Sequence, residues 1–266
     1  MVSSQINRIK TVLITGASSG IGLQLAQDYL AQGWRVLACG RDTSKLDTLC
    51  QSSLAGAHSF AFDISERSQV QEAALKVREW LKVEGLQLDL VLLNAGGCEY
   101  IDDAKHFDDM LFERIIQTNL IAMGYCIGAF VPLMHSGSRL ALMSSSAIYL
   151  PFPRAEAYGA SKAGVNYLAA SLSLDLAQSG IGVSVICPGF VATPLTAKND
   201  FPMPMQVDVT SASEAIRRGL LRGESEIHFP KRFTYLLKFI SILPAFVWRK
   251  MIMRDSQSTA IKDIEQ

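Results

Sequence analysis

Thr11–Gln32 reads TVLITGASSGIGLQLAQDYLAQ, and its three parts decide the fold. Thr11–Thr15 is short, apolar and rich in β-branched residues, the composition of a strand covered on both faces. Gly16–Gly22 is a glycine-rich turn. Leu23–Gln32 spaces Leu23, Ala26 and Leu30 along one helical face. A strand, a tight turn and a helix in that order are the start of a parallel α/β unit.

The same alternation continues downstream. Strands are expected at Arg35–Ala38, Ser59–Phe62, Leu88–Leu93, Arg139–Met143 and Gly182–Ile186. Helices are expected at Arg67–Val83, about Phe107–Met134 and Glu156–Gln178. This is the pattern of a doubly wound parallel sheet, α/β in class, of about seven strands flanked by helices. A chain of 266 residues, 49% hydrophobic and 19% charged, can bury such a core. One catalytic domain is expected over 1–229, with a substrate loop at about 193–222, followed by a helical extension over 230–266.

Lys+Arg and Asp+Glu both number 25, so no overall field favours nucleic acid. The five cysteines lack the spacing of zinc ligands or CxxC pairs, and no metal is expected. Scattered thiols in apolar surroundings suit a reducing compartment, so the expected location is cytoplasmic. The opening MVSSQINRIK has no apolar signal core, and with no run of about 18 or more uncharged apolar residues no bilayer-spanning helix is expected.

Gly16, Gly20 and Gly22 have the spacing GxxxGxG between the first strand and first helix. On its own this is also compatible with an ordinary tight turn. Between those two elements it lets a pyrophosphate approach the backbone, at a helix N-terminus beginning near Ser19. The second strand runs into Gly40 and Arg41 where an NAD enzyme usually offers a carboxylate. A guanidinium there suits a 2′-phosphate, which favours NADP(H). Asp42 is the competing residue for NAD, and Ser18 is not the second cation that many such turns carry.

Tyr158 and Lys162 in YGASK lie one helical turn apart. A free phenol is a weak acid-base catalyst at neutral pH, and a nearby ammonium favours its ionisation. Ser145, thirteen residues before Tyr158, could polarise a carbonyl, although Ser144 and Ser146 adjoin it. Each residue alone is common; the set beside a nucleotide turn is specific.

On TGASSGIG, Asp63-Ile64, Asn94-Ala95-Gly96, Asn119, Ser144–Ser146, YGASK and PGFVAT (Pro188–Thr193), residues 9 to 230 resemble the short-chain dehydrogenase/reductase family. The resemblance implies a Rossmann sheet, a catalytic set of Asn119, Ser145, Tyr158 and Lys162, and hydride transfer between NADP(H) and a carbonyl or alcohol. It implies that Gly16, Ser18, Ser19, Gly20, Ile21 and Gly22 line the dinucleotide. Arg41, Asp63 and Ile64 would meet its adenosine end. Asn94, Ala95 and Gly96 would support it, with Pro188, Gly189, Val191 and Thr193 at the nicotinamide and Tyr158 and Lys162 at the ribose. Asn119 would hold a water linking Lys162 to solvent. The family's usual spacing selects Ser145 among the three serines. A homodimer or homotetramer is implied, through the helices near Phe107–Met134 and Glu156–Gln178.

Phe201, Met203 and Met205 suit an apolar ketone or aldehyde, or simply pack the loop. Pro230–Arg254 carries Lys231, Arg232, Lys238, Arg249, Lys250 and Arg254, no acid, and many large apolar residues. Pro244 should interrupt any helix there. Two readings stand for it: burial over the pocket or a second subunit, or peripheral contact with an anionic membrane. A non-catalytic NADPH-binding regulator is the alternative function. An epimerase or dehydratase on a related fold fits the glycine spacing and length less well.

Overall fold

The computed structural model describes residues 8–53 and 56–253. Arg254, the rest of the extension to 266 and most of the N-terminal stretch therefore lie outside the described residues.

Seven strands form one parallel sheet: β1 (Thr11–Thr15), β2 (Arg35–Gly40), β3 (Ala57–Ala61), β4 (Leu88–Leu93), β5 (Met134–Met143), β6 (Gly182–Pro188) and β7 (Glu226–Phe229). Their order is β3-β2-β1-β4-β5-β6-β7. The chain steps outward from β1 to β3, then returns to place β4 on the other side of β1. That reversal opens a crevice above the carboxyl ends of β1 and β4, where doubly wound sheets bind ligands.

The period-2 alternation of a strand sends neighbours to opposite faces. Leu13 therefore joins one core with Val77, Phe130 and Val165. Val12 and Ile14 join the other with Leu25, Leu46 and Ile216. The first face is covered by α3 (Arg67–Glu84), α5 (Ala122–Phe130) and α6 (Glu156–Asp175), the second by α1 (Gly20–Ala31), α2 (Thr43–Gln51) and α7 (Val209–Leu221).

The expected elements all form, with ends shifted by a few residues. Three more have no counterpart in the sequence reading: α2, α7 and β7. The first two begin at aspartate N-caps: Asp42 accepts from the Lys45 amide at 3.1 Å and Asp208 from the Ser211 amide at 2.7 Å. The 193–222 segment read as a loop thus contains a helix of 13 residues. The long helix expected over Phe107–Met134 is α4 (Asp109–Ile116), a π-helical turn (Gln117–Ile121) and α5, with Met134 already in β5. By length and composition Asp109–Leu133 could cross a bilayer, in contrast to the expectation that nothing here could. Within it Leu111, Ile115, Met123 and Phe130 are buried in the protein, while Met110 and Ile121 are exposed. The extension folds as α8 (Lys231–Ile242), interrupted at Pro244, and a further helical segment over 245–253.

Candidate active site

A cavity of about 990 Å³ lies at the β1–β4 crevice and extends along the carboxyl ends of β5 and β6. All the candidate catalytic and cofactor-binding residues line it except Gly22 and Asn119.

The floor explains the glycines. Gly16 and Gly20 take φ of +70° and +54°, a region that costs other residues energy. Gly22 is required by space: a Cβ there would lie 2.2 Å from the Gly16 carbonyl oxygen. The turn therefore folds back onto its own helix, and α1 points its free amides into the cavity from Ser19, whose side chain makes no capping bond. Thr15 stitches the two central strands: its Oγ1 accepts from the amides of Asn94 (3.0 Å) and Ala95 (3.1 Å). Asn94 Nδ2 donates back to the Thr15 carbonyl at 3.0 Å. A dinucleotide fits this cradle: Gly16 and Gly20 line it without side chains, a helix N-terminus opens onto it, and a Cβ on Gly22 would push the Gly16 carbonyl and Asn94 out of place.

At the β2 end the cavity is lined by Gly40, Arg41, Asp42 and Lys45. Arg41 is largely exposed and pairs with Asp63 at 3.4 Å. Asp42 is engaged in capping α2 and in an ion pair with Lys45 at 3.0 Å. These interactions hold its carboxyl below the usual range. Lys45 was not anticipated from sequence; its signal was the aspartate cap, which turns the third residue of α2 toward the strand end.

At the other end, β5 delivers three consecutive serines with different fates. Ser144 Oγ donates to the Lys162 carbonyl at 3.0 Å and is buried. Ser146 is buried and starts a single turn of 3₁₀ helix. Ser145 lines the cavity, its Oγ accepting from the Ala147 amide at 3.1 Å. Ser144 lines the cavity as well, but its hydroxyl is engaged by the Lys162 carbonyl.

Tyr158 and Lys162 lie on α6, whose α-helical spacing places both toward the cavity. Burial pushes the Tyr158 phenol well above its ordinary pKa, opposed by hydrogen bonding with Ser145. The expectation that Lys162 lowers this pKa is not reproduced. Burial instead brings Lys162 itself down to about 8. Its Nζ lies 5.8 Å from the Tyr158 ring centroid and donates to the Met143 carbonyl at 3.0 Å.

Asn119 occupies the π-helical turn with no exposure. Its Oδ1 accepts from the Gly97 amide at 2.8 Å; its Nδ2 donates to the Gly97 carbonyl at 2.9 Å and to Ser161 Oγ at 3.0 Å. Ser161 in turn donates to the Tyr158 carbonyl at 2.7 Å. The amide side chain is thus a clamp between the β4 loop and the catalytic helix. On the β6 side Thr196 ties the wall together, donating to the Val191 carbonyl at 2.6 Å and accepting from the Thr193 amide at 3.0 Å. Thr193 packs against the face of Gly20.

Phe201, Met203 and Met205 do not line the cavity. Phe201 packs edge-on against Tyr100 and Phe190, Met203 lies against Asn199, and Met205 is exposed. Arg154 joins the loops around them, bonded to Asp102 at 2.8 Å and to both oxygens of Asp200 at 2.8 and 3.1 Å.

Residues 10–202 match the family model for short chain dehydrogenases. An oxidoreductase of Myxococcus xanthus, itself described as uncharacterised, is 34% identical over 240 residues, covering 88% of this chain and 93% of that one. A D-beta-hydroxybutyrate dehydrogenase of Rhizobium meliloti is 28% identical over 81% of this chain and 84% of that protein. The crystal structure of a short-chain dehydrogenase from Streptomyces avermitilis superposes with a TM-score of 0.77 at 22% identity, covering 95% of this chain and 97% of that one, a likeness of fold. With a nucleotide cradle, a serine, a tyrosine and a buried lysine on one cavity, and a family match spanning most of its sheet, the chain belongs to the short-chain dehydrogenases, oxidoreductases that use a nicotinamide dinucleotide.

Proposed function

We propose that this oxidoreductase is NADP(H)-dependent and reduces a lipophilic ketone or aldehyde to the alcohol, with Ser145, Tyr158, Lys162 and Asn119 as its working set. The observation that carries the reading is a single cavity bounded at one end by Gly16 and Gly20 and at the other by Ser145, Tyr158 and Lys162.

The cofactor would be held by the amides of Gly16–Gly22, by Asp63 and Ile64, by Asn94–Gly96 and Lys162, and by Pro188, Gly189, Val191 and Thr193. Arg41 and Lys45 together support the 2′-phosphate form, because two cations line that end and Asp42 is committed to its cap. When bound, the cofactor supplies the hydride. Tyr158 then passes its proton to the substrate oxygen, which the Ser145 hydroxyl hydrogen-bonds. Burial keeps the phenol protonated at neutral pH, so the proton that a reduction consumes is present on Tyr158 before substrate binds. Lys162 contributes a cation near the phenol below pH 8, and Asn119 positions it indirectly through Ser161 and the backbone of Tyr158.

The apolar preference is supported by Phe190. It lies between two cavity-lining residues and packs on Phe201 and Phe233. Family members commonly form oligomers, and here Ile121, in the turn before α5, and Tyr167 and Leu174, on α6, are exposed, which supports a homodimer or homotetramer through that face. The five free thiols suit the cytoplasm.

The test is NADPH oxidation by the purified chain across a carbonyl panel running from short polar to long apolar members. Turnover of the apolar members with NADPH preferred over NADH is expected. Faster turnover of the polar members rejects the lipophilic assignment. Cofactor binding with no turnover of any carbonyl favours a non-catalytic regulator.

A further inference from the structure

We propose that the C-terminal helical pair, α8 and 245–253, docks on an anionic phospholipid bilayer surface. The inference is independent of the substrate reading.

α8 has two apolar faces. Phe233, Leu237 and Ile240 are buried against Leu150 and Phe190 and satisfy its link to the body. Tyr235, Leu236, Phe239 and Ile242 follow helical spacing on the opposite side, with Phe239 62% and Ile242 83% exposed. Leu243 continues the face across the interruption at Pro244, and Phe246 begins the second segment at 69% exposed. In that segment Trp248 faces inward, its Nε1 donating to the Pro151 carbonyl at 2.7 Å. Phe246, Arg249, Lys250 and Met253 are exposed at i, i+3, i+4 and i+7. So many large apolar side chains in about twenty residues exceed the scattered exposure of an ordinary surface.

The charge decides the occupant. Lys231, Arg232, Arg249 and Lys250 rim this face, are exposed, and form no ion pair among the described residues. Lys238 is held by Glu226 at 2.6 Å. Pro230–Arg254 contains no carboxylate, although the whole chain is charge-balanced. A second copy related by a two-fold axis would bring the same patch against itself and oppose these cations. A bilayer of anionic lipid offers both complements: headgroup charge for the rim, and acyl chain for Phe239, Ile242 and Phe246. The uninterrupted apolar run is too short to span, so the pair would lie in the interface plane.

Flotation of the full chain with phosphatidylcholine vesicles, with and without phosphatidylglycerol, tests this. Two variants accompany it: Phe239→Glu with Phe246→Glu, and Arg249→Glu with Lys250→Glu. Mass is measured by light scattering, and fold by melting temperature and NADPH binding. All the altered side chains are exposed, so unchanged melting is expected. Wild type should float with anionic vesicles and at least tenfold less with zwitterionic ones. Binding should weaken about fivefold for each cation removed, with added salt acting in the same direction. The phenylalanine variant should stay at the bottom. Three results overturn the proposal: no flotation on anionic vesicles; equal flotation on both vesicle types; or no vesicle binding together with a mass that halves in the phenylalanine variant, which would assign the face to a second copy.

Discussion

The ammonium of Lys162 donates to the main-chain carbonyl of Met143, 3.0 Å away, at the end of β5. Ser144, the next residue, returns a bond from its hydroxyl to the Lys162 carbonyl. Strand end and helix hold each other through this reciprocal pair, and the following serine is left to face the cavity. Lys162 is therefore a structural tie as well as a cation, and its burial sets its titration.

Lys162→Met separates these roles. Burial lowers the lysine to about 8, whereas the unfolded chain keeps the proton to its ordinary value near 10.5. The folded state thus carries a cost that is full below pH 8 and fades as pH rises toward 10.5, of the order of 3 kcal/mol. Leaving the Met143 carbonyl unpaired costs about 1–3 kcal/mol in return. The variant should melt no lower than wild type at pH 7, and its relative advantage should shrink between pH 8 and 10.5. It should also lose at least a hundredfold in turnover. Thermal melts across that pH range check the first point.

The pH profile of wild-type carbonyl reduction should fall as pH rises through about 8, since the Lys162 cation is lost there. Measurement of kcat against pH with saturating cofactor reports it. A rate that stays flat to pH 10 would show that the lysine's charge has no part in the step.

Tyr158→Phe should lower turnover by about 10²–10⁴-fold while leaving NADPH affinity within a few-fold, because only the proton donor is removed. Stopped-flow turnover and fluorescence titration read the two effects. Retained reductase activity rejects the assignment.

Gly22→Ala places a methyl 2.2 Å from the Gly16 carbonyl. Backbone must move, at a cost of about 1–3 kcal/mol in stability. Since the same carbonyl belongs to the cradle, dinucleotide affinity should fall at least tenfold. Calorimetric melting and titration of the variant test both.

Arg41→Ala with Lys45→Ala should weaken NADP(H) at least tenfold and leave NAD(H) nearly unchanged, because both cations line one end of the cavity. The ratio of kcat/KM for the two cofactors is the readout. An equal loss for both would place these residues elsewhere in the binding event.

Six of the seven strands were legible because a parallel sheet buried on both faces leaves apolar runs, as at Leu90–Leu93; β7, four residues at the edge of the sheet, was not. The choice of Ser145 among three serines came from the family resemblance, whereas the glycine turn and the placing of Tyr158 and Lys162 one helical turn apart were legible from spacing. α2 and α7 were not, because each shows one apolar face on a polar helix and begins at an isolated aspartate cap. Lys45 was missed with α2. The mutual hold of Ser144 and Lys162 lies between residues eighteen apart and has no local pattern. The loop carrying Met203 and Met205 left two readings open because softness of composition says nothing about direction; its aromatic packs on Tyr100 and its last methionine faces outward.

The wide turn at Gln117–Ile121 also sets where its helix can change length. Leu111 and Ile115 pack in one cluster before it, and Met123, Cys126 and Phe130 in the main core after it. A π turn closes its hydrogen-bonded ring one residue later than an α turn, so it takes up one extra residue while the helix beyond it keeps its facing. Deleting one residue within Gln117–Ile121 would let the turn tighten to α-helix with Phe130 still on the sheet, and the loss would fall on Asn119, which bridges Gly97 and Ser161 from inside it. Deleting one on either side would instead rotate Phe130 by about 100° off the core. The core tolerates a change of helix length at the wide turn, and there the change costs the clamp.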